Sequence, residues 1–265
     1  EGCSNRTLNY YKDNINKMLD TVNLPINEIT TEILRNYLSD YKSNSNAGMV
    51  TIDNIRRTLS SFFAWLENED YIVKSPVRRI HKVKTTRRVK ETLTDENLEK
   101  LRDTCSNVRD LAILELLIST GMRVGELTRL NISDMNFQER SCIVLGKGNS
   151  ERKVYFSAKS KMYIEKYLKT RTDDNEALFV SLIKPYNRLG ISGIEIAIRN
   201  LGKQANINKV HPHKFRRTMA TMAIDKGMTI EQVHKLLGHI KIDTTMEYAM
   251  VNQNNVKNSH RKYIT

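Results

Sequence analysis

The sequence predicts a mainly α-helical, two-domain α+β protein with one small antiparallel β-sheet. Three observations carry that expectation. Apolar residues recur at helical spacing through the first 70 residues and again through most of the second half. Two short β-type runs, "RSCIVL" and "RKVYFS", flank the glycine-bounded stretch "GKGNSE". A basic segment separates the two parts, and Pro76 within it prevents a continuous helix.

In chain order, Leu8, Tyr11, Ile15, Met18 and Val22 mark a first amphipathic helix. "ITTEILRNYLSDY" marks a second through Ile33, Tyr37 and Tyr41, with Thr30 or Thr31 as its N-cap. "NAGMV" breaks the chain. A third helix turns Ile52, Ile55, Leu59, Phe62, Phe63 and Leu66 to a core and leaves Arg56 and Arg57 off that stripe. These helices make a compact domain over residues 1–73. Residues 74–92 form a basic linker: from Lys74 to Lys90 there are eight Lys or Arg and no acid. The second domain, 93–265, opens on a helix capped by Thr94. "NVRDLAILELLISTGMRVGELTRL" gives an apolar helix, a glycine turn and another helix. The hairpin follows "NISDMNF", and helices resume at "SKMYIEKYLKTR". There is no internal repeat and no low-complexity segment.

A chain of 265 residues supports a sizeable core, and 39% apolar with 28% charged residues suits a soluble globular protein. No run of about 18 apolar residues exists, so no transmembrane helix is expected. Cys3, Cys105 and Cys142 are odd in number and far apart, which fits neither a disulfide framework nor a zinc ribbon; a reducing cytoplasm is the expected location. The chain opens on Glu1 without a secretory pattern, and a preceding segment is expected. The net charge of +13, from 43 Lys and Arg against 30 Asp and Glu, points to a polyanionic partner, nucleic acid before an anionic membrane surface. No "GxxxxGK[ST]" loop supports ATP-driven work.

Four features of the second domain can do chemistry: Arg123 in "TGMRVGEL", Lys147 in "GKGNSER", His213 and Arg216 in "HPHKFRR", and His239 with Tyr248 in "LLGH" and the stretch after it. His213 and Arg216 are spaced to share one helical face. Two arginines from separate elements can grip one phosphate, because planar guanidiniums stay charged and bind its oxygens bidentately. Such a grip stabilises charge growing in a phosphoryl-transfer transition state. A tyrosine hydroxyl, with a pKa of about 10, needs neighbouring bases or cations to act as a nucleophile. A lysine at a hairpin tip can protonate a leaving alkoxide. Each residue alone has an ordinary structural role. A metal site at His211, His213 and His239 lacks accompanying Asp, Glu or Cys, so no metal or cofactor is expected.

Taken together, these pieces resemble the tyrosine site-specific recombinases, which include phage and conjugative-element integrases and Xer-type resolving enzymes. The likeness lies in "TGMRVGEL", "GKGNSER", "HPHKFRRTMAT", "LLGH" and "TTMEY", in that order. Arg216 precedes His239 by 23 residues, and His239 precedes Tyr248 by nine, as in the family pattern. The first 90 residues resemble the family's core-binding domain only in outline. Ser75-Pro76 stands where an Asn-Pro is common, and Phe215 where many members carry leucine. The resemblance implies that Tyr248 attacks a DNA phosphodiester to form a 3′-phosphotyrosyl bond, with Arg123 and Arg216 on the non-bridging oxygens. It implies that Lys147 protonates the 5′-oxygen, that His213 and His239 assist at the phosphate and the tyrosine, and that Glu126 holds Arg123. It also implies a tetramer on two duplexes, linked through the C-terminal tails, with room for accessory bending or directionality factors and for an arm-type domain ahead of Glu1.

Candidate backbone contacts are Arg56, Arg57, Lys74, Arg78, Arg79, Lys82, Lys84, Arg87, Arg88 and Arg217, the last beside a neighbouring phosphate. The partner expected is DNA and no membrane. The expected biology is integration or excision of a mobile element. The alternatives are an Xer-type chromosome-dimer resolvase, a type IB topoisomerase using the same chemistry, and a non-catalytic DNA-binding accessory protein.

Overall fold

The computed structural model describes residues 3, 5–83, 91–146, 151–238, 242, 245 and 246. The chain divides into two compact units, Glu1–Arg88 and Val89–Thr265.

The first unit is built on α1 (Asn5–Val22), α2 (Thr31–Ser45) and α3 (Met49–Asn68). Thr30 caps α2 by accepting from the Ile33 N–H. Met18, Leu34, Tyr37, Leu38, Ile55, Leu59 and Phe63 close the core. On α2 the buried stripe is rotated from the sequence reading: Leu34 and Leu38 fill the centre with Tyr37, and Ile33 and Tyr41 flank it half-buried. The segment expected as linker starts inside this unit. Pro76–Arg79 forms a 3-10 turn, and Val77, Ile80 and Val83, apolar every third residue, pack on the helical core. Thr31 Oγ1 donates to the Pro76 carbonyl at 2.7 Å, and Asp53 accepts from the Val83 N–H at 3.1 Å.

The second unit runs α4 (Asp95–Thr104), α5 (Val108–Thr120), α6 (Val124–Leu127), β1 (Met135–Asn136), β2 (Ser141–Leu145), β3 (Glu151–Tyr155), α7 (Ala158–Thr170), α8 (Ile191–Gln204), α9 (Pro212–Asp225) and α10 (Ile230–Leu237). Thr94 caps α4, accepting from the Asn97 N–H at 3.2 Å. The hydrophobic run of α5 becomes the central post: Ala112, Ile113, Leu114, Leu116 and Leu117 are all buried, with α7, α8 and α9 packed around them. The antiparallel sheet has the order β1-β2-β3, with Val144 opposite Arg152 and Cys142 opposite Val154. The hairpin matches the two β-type runs. Strand β1 adds two residues from "NISDMNF", too short for a periodic signal.

Gly121 ends α5 with φ +58°, and a side chain there would meet the methyl of Met219 on α9 at 2.1 Å. Glycine takes this left-handed φ without strain, and the turn delivers Arg123 two residues later. Ahead of α4, the Leu93 N–H donates to Thr218 Oγ1 at 2.9 Å, and Arg217 Nη2 donates to the Glu91 carbonyl at 3.3 Å, so α9 also holds the entering chain.

Candidate active site

Arg123 is the N-cap residue of α6. Glu126, one turn on, accepts from the Arg123 backbone N–H at 2.8 Å and from Arg123 Nη1 at 2.9 Å. One carboxylate therefore satisfies an orphan helix-start amide and aims the guanidinium. Glu126 is buried, and its second partner is Arg152 of β3, whose Nη1 and Nη2 donate to Oε1 and Oε2 at 2.8 and 2.7 Å. Burial pushes the Glu126 carboxyl up, but the hydrogen bonds from Arg152 and Arg123 overcome this and hold it below the usual range.

Pro212 opens α9, where its fixed φ and missing N–H cost nothing. His213 follows on the first turn, exposed, and Arg216 lies three residues on, with only 4% of its surface exposed. Desolvation, then the positive charges of Arg216, Arg217 and Arg123, push the His213 imidazole below its ordinary value, with Glu195 opposing; its exposed edge limits the desolvation part. The ring favours its neutral form.

The guanidiniums meet at the end of α10. Arg216 Nη1 donates to the Gly121 carbonyl and Nη2 to the Leu237 carbonyl, both at 2.7 Å. Arg123 Nη2 donates to the Gly238 carbonyl at 3.3 Å, and Arg152 Nε to the Leu236 carbonyl at 3.1 Å. Three consecutive carbonyls, which a helix end leaves without partners, are each taken by an arginine from a different element. Gly238 terminates α10 with φ +61°; a Cβ there would stand 2.8 Å from Arg152 Cδ. Beyond it, Thr245 is buried, and its Oγ1 lies 3.2 Å from Nδ1 of His234 on α10.

Arg123, Arg216, His213 and Glu126 thus come from α6 and α9 into one neighbourhood. Lys147, His239 and Tyr248 lie outside the described residues, as do Lys84, Arg87 and Arg88. His239 directly follows Gly238 in the chain, and Lys147 belongs to the connection between β2 and β3. Arg57, Lys74, Arg78, Arg79 and Lys82 are exposed on the first unit. Arg56 is half-buried and pairs with Asp53 at 2.9 Å. Arg217, expected beside a phosphate, is half-buried and spends one donor on the Glu91 carbonyl. Sequence reasoning overlooked Arg152. The signal was present: on β3, Arg152 shares a face with buried Val154, and a charge facing inward on a strand requires a partner.

The phage integrase family profile matches residues 91–255, and the profile of its N-terminal SAM-like domain matches residues 1–72. The chain belongs to the phage integrase family. Its members are tyrosine site-specific recombinases, enzymes that cleave and rejoin DNA. Tyrosine recombinase XerC of Staphylococcus aureus (strain USA300 / TCH1516) is 30% identical over 268 residues, covering 96% of this chain and 89% of its own. Within the family, XerA recombinase aligns at 28% identity and a TM-score of 0.60, covering 98% of this chain and 92% of its own. The Tn1549 transposon integrase, solved with transposon right end DNA, superposes with a TM-score of 0.79 at 18% identity, covering 100% of this chain and 95% of its own. A lambda integrase dimer bound to a COC′ core site superposes at 0.76 and 21% identity, covering 93% of this chain and 72% of its own. These last two likenesses are of fold. Among the described residues, no helix is long and apolar enough to cross a membrane.

Proposed function

We propose that this recombinase breaks a DNA phosphodiester with Tyr248 as nucleophile and Arg123, Arg216, His213, His239 and Lys147 as the phosphate-handling set. The convergence of Arg123 and Arg216 at the carbonyls immediately before His239 carries the reading. The Tyr248 oxygen attacks phosphorus, the bond from phosphorus to the 5′-oxygen breaks, and a 3′-phosphotyrosyl linkage forms. The phenol proton leaves towards a histidine, and Lys147 donates a proton to the departing 5′-oxygen. Both guanidiniums face the non-bridging oxygens and offset the added negative charge. Glu126 keeps Arg123 turned to that task. A 5′-hydroxyl from a second strand reverses the steps and reseals the DNA, so the energy of the broken bond is kept in the linkage and no metal or nucleotide enters the cycle.

The partner is double-stranded DNA, held largely through its backbone by the exposed cations of the first unit and the basic segment after it. Four protomers assemble on two duplexes, with accessory factors setting direction, inside the cytoplasm. The biological setting we favour is integration or excision of a mobile element. The identity to relatives named XerC keeps a chromosome-dimer resolvase as the second reading. A nicked suicide duplex tests the chemistry: a covalent protein–DNA band is expected from the unaltered chain and none from Tyr248→Phe. A band that survives Tyr248→Phe rules out the assigned nucleophile. Sequencing the trapped ends then separates the two settings.

A further inference from the structure

We propose that Arg152 is a positioning residue of the recombination site: it ties the lysine-bearing hairpin, the Glu126–Arg123 pair and the end of α10 into one rigid assembly. The proposal rests on the phosphate-handling reading above, and it assigns a task to a residue that need not touch DNA.

Three bonds make the argument. Two donors of Arg152 occupy both oxygens of Glu126, at 2.8 and 2.7 Å, in the parallel fork that gives a guanidinium–carboxylate pair a single orientation. The remaining edge, Nε, reaches the Leu236 carbonyl at 3.1 Å. Its Cδ and Nε lie where only a residue without a Cβ fits, against Gly238. The side chain is 12% exposed and the Glu126 side chain 4%, so the bonds are shielded from water. Glu126 is therefore held from two sides, with Arg123 as the other donor. The α10 end is held by three arginines, of which Arg152 alone comes from the sheet.

Strand β3 begins at Glu151, one residue before Arg152 and four after Lys147 in the chain, so the fork also anchors the start of the strand that follows the lysine in sequence. A lysine at 152 offers one ammonium in place of a planar fork and cannot serve both carboxylate oxygens and the Leu236 carbonyl at these angles.

The test compares Arg152→Gln and Arg152→Lys with the unaltered full chain on three readouts: melting temperature, hydrogen exchange of peptides spanning residues 230–238, and cleavage of two nicked duplexes. One duplex carries an ordinary phosphodiester and the other an uncharged methylphosphonate at the scissile position. The expected result for Arg152→Gln is a folded protein with faster exchange at the end of α10, unchanged exchange in α7, and ordinary cleavage slowed ~10²-fold, as for a small misplacement of reacting groups. The deficit shrinks on the methylphosphonate, which places less demand on a correctly aimed Arg123. Arg152→Lys falls between the two. A folded Arg152→Gln that cleaves within about twofold of the unaltered chain overturns the proposal. So does an equal loss on both duplexes, and so does unchanged exchange at 230–238. If the unaltered chain itself forms no covalent complex, the proposed function fails, and the exchange readout still decides whether Arg152 holds α10.

Discussion

Arg216 Nη2 donates to the carbonyl of Leu237 at 2.7 Å while Nη1 donates to that of Gly121 at the same distance. One buried side chain thus bridges the turn before Arg123 and the helix end before His239. Arg216→Lys keeps the charge but loses the fork, so one carbonyl is left buried without a donor, at a cost of ~1–3 kcal/mol. Covalent-complex formation on a nicked duplex is expected to fall by at least ~10²-fold. A lysine variant that cleaves normally removes Arg216 from the phosphate grip.

Glu126→Gln leaves Arg152 and Arg123 with a neutral partner. Losing one member of a buried ion pair costs ~3 kcal/mol. The folded carboxyl titrates below its ordinary value, so its stabilising share is complete above the ordinary Glu pKa of 4.5 and disappears as pH falls through the folded one. Chemical denaturation at pH 7 and at pH 4 reads this directly: the gap between the two proteins is wide at pH 7 and narrows in acid. An equal gap at both values assigns the loss to shape alone.

His213 prefers to be neutral in the folded chain, its pKa lying below the ordinary 6.5. Its contribution is present above that value and is lost as pH falls through the folded pKa, because protonation favours the unfolded chain. Melting curves of the unaltered protein and His213→Gln are expected to converge or cross as pH drops from 7 towards 5. Parallel curves across that range exclude the electrostatic account of His213.

Gly238→Ala forces a residue with a Cβ into φ +61° and against Arg152 Cδ at 2.8 Å. The backbone part alone costs ~1–2 kcal/mol, and Arg152 cannot step aside without breaking its fork. Both melting temperature and cleavage are expected to drop. Gly48→Ala, where nothing lies within 4 Å of the added carbon, serves as the matched control.

DNA affinity is expected to fall steeply with salt, on the order of 10³-fold between 50 and 200 mM if about six phosphates are contacted. Fluorescence anisotropy with a duplex containing the site measures the slope; a flat curve contradicts backbone-dominated binding.

The helices and the hairpin were legible because they rest on local patterns, such as the apolar period of α5 or the caps Thr30 and Thr94. Motif spacing singled out Arg123, Glu126, His213 and Arg216, which the fold brings into one neighbourhood. Which partners Arg152 and Arg217 take was not legible, because each lies far along the chain: Glu126 is 26 residues from Arg152, and Glu91 is 126 from Arg217. No local pattern encodes such closures. The packing of Val77, Ile80 and Val83, within the segment expected as linker, was hidden for a related reason. Its charges dominate the eye, yet three regularly spaced apolar residues decide where it packs.

The bond from Leu93 to Thr218 has a mechanical corollary. Thr218 stands two positions past Arg216 on the same helix, so the strap of chain leading into the larger unit is buckled to the helix that carries His213 and Arg216. Any force that peels residues 91–93 away must first snap that buckle or drag α9 with it.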